Sequence, residues 1–193
     1  MADNTRDRLI ETSTALIAIK GFNNTGIAEI LAAVGIPKGS FYHYFKSKDD
    51  LGLAAIDHYG YQLREGLANA LQPSPASPLT RLRAYFDMAL AYFEQHRGNC
   101  NCLLGNLGQE LALQSEPMRE AIFRHYLAIE HQIAECLVAA KEAGELTSTA
   151  DEALLARTLF AAWEGSMTRA KLEQSIQPLR DLLDLYFEKL LKP

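Results

Sequence analysis

Lys38, Ser40, Tyr42, His43, Tyr44 and Lys48 crowd into residues 38–48, and their functional groups suit nucleic-acid contacts. A lysine near the start of a groove-entering helix donates to guanine O6 or N7, and a serine hydroxyl bonds base or phosphate. Tyrosine hydroxyls reach phosphate oxygens, and the Tyr42 ring can also lie against a thymine methyl. Gly39 and Thr25 complete the expected DNA-facing set. Lys48, at the start of the next helix, adds a phosphate contact that the N-terminal amides of that helix reinforce.

A second cluster offers thiol chemistry. Cys100 and Cys102 lie two apart in Arg97-Gly-Asn-Cys-Asn-Cys-Leu. Cys102 stands at the expected start of a helix, a position that favours the thiolate, and Arg97 adds positive charge nearby. A disulfide between cysteines so close is strained. With His96 they fall short of a metal-ligand set, so no metal is expected. The residues leave two readings of Cys102 open, a reactive thiol and a buried structural one. Cys136 falls in an apolar helical pattern with Ile129, Ile133 and Ala140 and reads as inert core.

The elements that must position these groups are helical nearly throughout. Residues 5–20 form one amphipathic helix that Gly21 ends. Thr25 or Gly26 opens a second helix, which Gly35 follows, and Pro37 occupies the first turn of a third. Phe41 and Phe45, four apart, share the face that packs on Ile30, Leu31 and Val34. Ser47 caps a fourth helix with Asp49 and Asp50 in its first turn, running to about Leu71. After Gln72-Pro-Ser-Pro-Ala-Ser-Pro, helical patterns resume at 79–96, 103–114, 117–143, 150–171 and 176–191. The expected fold is all-α: a three-helix helix-turn-helix domain at 1–48 and a larger helical domain at 49–193, with helix 49–71 as connector.

The last two patterns carry more apolar residues than one core-facing stripe requires. Residues 153–171 and 179–191 thus suggest either a homodimer interface or a deeply buried core hairpin. Tyr85, Met88, Tyr92, Phe123, Trp163 and Met167 are available to line an apolar effector pocket, and each equally suits plain core.

Composition sets outer limits. The 193-residue chain is 48% hydrophobic, ample for a core, and its net charge of −5 looks unsuited to DNA. The distribution reverses that impression. Residues 1–48 hold six basic and four acidic side chains, and Ile30–Lys48 contains no acid; the remainder holds 13 basic and 20 acidic residues. Three cysteines match no disulfide framework. The polar start and a longest apolar run of six residues, Met88–Phe93, argue for a cytoplasmic protein without a membrane partner. No His-Glu-x-x-His, nucleophile elbow or phosphate loop is present, so neither catalytic residues nor a cofactor is expected.

The segment Lys38-Gly-Ser-Phe-Tyr-His-Tyr-Phe45, with Gly21-Phe22, Ala32-Ala-Val-Gly-Ile36 and Lys46-Ser-Lys-Asp-Asp-Leu51, resembles the TetR/AcrR-type transcriptional regulators. The resemblance implies a DNA-binding head, a ligand-binding body, a homodimer, for which the two C-terminal helices are the candidate interface, and repression at a palindromic double-stranded operator. Gly26 departs from the Ser or Thr usual there. The stretch from His96 to Met118, with Ala170-Lys171, is similar to an electrophile- and oxidant-sensing subgroup related to the repressor of N-ethylmaleimide reductase. That similarity implies that Cys102 is the reactive cysteine, that Lys171 lies near it, and that modifying Cys102 releases DNA. Non-covalent induction by a small apolar or acidic molecule is the alternative mechanism.

Overall fold

A computed structural model of the chain describes residues 2–96 and 102–191. Cys100 and Arg97, expected to act beside Cys102, lie outside the described residues. Helices dominate, and no strand occurs among the described residues.

The first helix, α1 (Ala2–Lys20), ends where Gly21 adopts φ +82°, its amide bonded to the Ile17 carbonyl at 2.9 Å. Helix α2 (Ile27–Val34) stops at Gly35, whose φ of +75° lets its amide reach the Leu31 and Ala32 carbonyls. Such a left-handed stop favours glycine, which has no Cβ to clash. Helix α3 is shorter than expected, spanning only Lys38–Phe41, with Pro37 as its extended N-cap rather than a first-turn residue. Turns then carry the chain through Tyr44 to Phe45. Helix α4 (Lys48–Ala70) opens on a reciprocal cap: the Asp50 amide donates to Ser47 Oγ, and the Lys46 amide donates to Asp50 Oδ2.

Beyond the proline-rich break, Ser77 caps α5 (Pro78–Gln95). Helix α6 (Leu103–Leu111) stops short of the expected residue 114, and α7 (Glu116–Glu142) follows it. Asp151 caps α8 (Glu152–Glu173) by accepting the Leu154 amide. The final pattern is not one continuous α-helix: α9 (Gln177–Leu185) passes into a π turn at Tyr186–Leu190. There the buried Tyr186 hydroxyl donates to the Leu155 carbonyl at 2.9 Å, and burial pushes the phenol pKa up.

Two compact units result, Met1–Leu63 with Asn101–Tyr126, and Arg64–Cys100 with Leu127–Pro193. A cut at residue 48 would fall at the first turn of α4, inside the first unit. That unit contains a core of Leu9, Ile10, Ile30, Leu31, Val34, Phe41, Phe45 and Leu51. In the second, the buried Trp163 ring meets Phe86 edge-on, 5.0 Å between centroids. Leu179 and Leu183 of α9 are fully buried.

Candidate nucleic-acid interface

Two phenylalanines orient the recognition segment. Phe41 and Phe45 are 0% and 2% exposed, with ring centroids 5.9 Å apart. Burying each ring contributes about 2–3 kcal/mol. Because they anchor one side, the opposite side faces out: Lys38, Gly39, Tyr42 and His43 are exposed, and Ser40 and Tyr44 are half-buried. Tyr42 is 59% exposed and stands edge-on to Phe41 at 5.3 Å. The expected polar set from Lys38 to Tyr44 therefore gathers on one short helix and the turn after it.

The scaffold around this segment is itself bonded. An Arg8 guanidinium nitrogen donates to the Val34 carbonyl at 2.7 Å, satisfying the end of α2, and Arg6 lies over the Phe45 ring. Lys20 pairs with Glu29. Lys48 sits at the start of α4 as expected, with its ammonium 4.4 Å from the Phe22 ring centroid and 3.4 Å from the Asn23 carbonyl oxygen.

Thr25 does not belong to this surface. Its side chain has no exposed area, and its hydroxyl donates to the Gly21 carbonyl at 2.7 Å. It closes the loop before α2 and offers nothing to a phosphate. Gly26 supplies no side-chain cap there.

The groups expected to sense an effector are divided between the two compact units of the chain. Cys102 is the N-cap of α6, as its helix-start position implied, and is 8% exposed. Lys171 belongs to the other compact unit, where it lines a cleft of about 470 Å³ with Phe93, Glu94, Gln174, Ser175 and Ile176. Of the expected pocket-lining side chains, Met88, Tyr92 and Phe123 are more than half exposed, so they do not line a closed cavity. Tyr92 stacks on His96 at 4.0 Å. Trp163 is core, while Tyr85 and Met167 are half-buried. Cys136 matches its inert reading: it is buried, its thiol donates to the Pro78 carbonyl, and burial pushes its pKa up to about 11.

Two features escaped sequence reasoning. The Glu110 carboxylate accepts the backbone amides of Phe22 and Asn23 at 2.8 and 2.7 Å. The buried His125 ring lies hydrogen-bonded to Asp57 at 2.8 Å, in a space that a Cβ on Gly60 would fill. Neither has a local motif. Among the described residues no cluster of three or more His, Cys, Asp or Glu could hold a metal ion, and no helix is long and apolar enough to cross a membrane.

Known proteins share this arrangement. Residues 9–55 match the family described as "Bacterial regulatory proteins, tetR family", and residues 78–185 match "Tetracyclin repressor-like, C-terminal domain". The chain is 37% identical to the transcriptional regulator AcuR of Cereibacter sphaeroides, over 89% of this chain and 78% of that protein. It is 32% identical to the HTH-type transcriptional repressor NemR of Escherichia coli (strain K12), over 93% of this chain and 90% of the relative. The crystal structure of the reduced form of E. coli NemR superposes with a TM-score of 0.92 at 30% identity, covering 98% of both chains.

Proposed function

Since the chain belongs to the tetR family of bacterial regulatory proteins and is a DNA-binding transcriptional regulator, we propose that it is a homodimeric repressor of a palindromic operator. The observation that carries this reading is the outward polar face of α3, held by Phe41 and Phe45. Lys38 and Ser40 read base edges, Gly39 allows close approach to the groove, and Tyr42, His43, Tyr44 and Lys48 fix the register on phosphates. Two such heads contact half-sites about one helical turn apart, roughly 34 Å. A regulator of operator DNA acts in the cytoplasm.

The dimer forms through α8 and α9. Exposed Leu154, Thr158, Ala161, Gly165, Thr168 and Leu172 recur at alternating spacings of four and three along α8. A stripe of small residues between leucines lets a second helix approach closely. Leu185 extends the exposed apolar surface onto α9.

The input is modification of Cys102 by an electrophile. The thiolate adds to an electron-poor alkene carbon, forming a C–S bond, while the adjacent carbon takes a proton from solvent. Cys102 lies at the head of the buried run Leu103, Leu104, Leu107 and Leu111, so an adduct overfills that packing and displaces α6. The cleft beside Lys171 favours a second reading, non-covalent binding of a small acid.

A mobility-shift titration on the DNA upstream of its own gene tests the output. Expected is a sequence-selective shift whose affinity falls steeply with salt, as several phosphate contacts require. A shift without selectivity or salt dependence would overturn the reading.

A further inference from the structure

The loop between α1 and α2 is a junction where DNA-facing and internal groups meet. Glu110, near the end of α6, accepts the Phe22 and Asn23 amides with one oxygen each, Oε2 at 2.8 Å and Oε1 at 2.7 Å. These amides lie in the loop just after α1. Gln114 reinforces the contact, accepting from the Asn23 side-chain amide and donating to the Glu110 carbonyl at 2.7 Å. On its other side the same two residues receive Lys48, whose ammonium approaches the Asn23 carbonyl and the Phe22 ring.

The surrounding sequence is shaped to this contact. A Cβ on Gly21, already at φ +82°, would stand 2.8 Å from Glu110 Oε2. A Cβ on Gly52 of α4 would stand 2.5 Å from the Phe22 ring and 3.0 Å from Met118. Two glycines thus leave room for the carboxylate on one side and the Phe22 ring on the other.

We propose that Glu110 is a positioning residue for DNA binding: its grip on the Phe22–Asn23 backbone holds the partner against which Lys48 is aligned. The inference rests on the reading of Lys48 as a phosphate contact. It adds a mechanical route, because Cys102 caps the opposite end of the same helix. The nine residues of α6 span only about 14 Å. A shift at Cys102 then arrives at Lys48 through Glu110.

The test is a double-mutant cycle on the full-length dimer, with operator affinity measured at several salt concentrations. Glu110→Gln keeps the shape but replaces one accepting oxygen with an NH₂ group facing an amide N–H. It should weaken operator binding about tenfold and flatten the salt slope by about one phosphate contact, with the Lys38-dependent base preference retained. In the Lys48→Ala background the same change should cost little, since coupled residues are non-additive. Glu110→Ala should behave alike, and if it fails to fold, the isosteric glutamine variant decides. Affinity within twofold of the parent, or a loss that adds fully to that of Lys48→Ala, overturns the proposal. Should Lys48→Ala itself leave the salt slope unchanged, the Lys48 reading fails, and Glu110 falls with it.

Discussion

Helices α3 and α6 are both short, yet they are held in opposite ways. Helix α3 has four residues and is anchored by one face, through Phe41 and the following Phe45, so that its polar side stays open to solvent. Helix α6 has nine, buries Leu103, Leu104, Leu107 and Leu111, and is fastened at its end by a carboxylate on another loop's backbone. One arrangement presents side chains to an outside partner. The other buries its leucines and turns the Glu110 carboxylate onto backbone amides, and in the proposed mechanism it links Cys102 to the head. An output and a transmission element thus differ in where their polar groups point.

Truncation should separate the two most strongly. Phe41→Ala and Leu107→Ala both leave cavities and should each cost about 3–4 kcal/mol, lowering the melting temperature. Tyr42→Ala, one residue from Phe41 but exposed, should leave stability within about 0.5 kcal/mol while weakening operator binding. Equal destabilisation by Tyr42→Ala and Phe41→Ala would mean that α3 is not a one-sided anchor.

Smaller effects refine the division of roles on the presented surface. Lys38→Ala should cost about 1–3 kcal/mol of binding and relax base preference, whereas Lys48→Ala should weaken all sequences alike. Competition assays with operators altered at single base pairs distinguish them. Matching losses of selectivity would erase the distinction between reading and positioning lysines.

The smallest expected effect concerns a thiol that neither helix uses. Burial raises the Cys136 pKa from 9.0 to about 11, so the folded state holds its proton more tightly than the unfolded chain. Its contribution is fully present below about pH 9 and is lost as pH rises through about 11. Melting temperature should therefore fall more steeply over that interval in the parent than in Cys136→Ala. Parallel curves would show that Cys136 is not buried as a neutral thiol.

What was legible in the sequence follows from distance along the chain. The Ser47–Asp50 cap, the Gly35 stop and the Phe41–Phe45 pair are set within four or five residues, and helical periodicity exposes them. Thr25 misleads because a hydroxyl can turn either way, and only the fold shows it turned to Gly21. Met88, Tyr92 and Phe123 fit an apolar pattern whose outward direction no local spacing reveals. Glu110 is silent for a stricter reason: its partners are backbone amides 88 and 87 residues away, and every residue but proline has such an amide. The last apolar stretch promised one helix, but the chain leaves α geometry at Tyr186, whose ring and hydroxyl are buried.

The coupling of thiol to DNA is tested most directly by the anisotropy of labelled operator DNA bound to the parent and to Cys102→Ser, followed as N-ethylmaleimide is added. The parent should release the operator in step with formation of the Cys102 adduct, while Cys102→Ser, still carrying Cys100 and Cys136, should remain bound. Release of both proteins at the same rate would contradict the account.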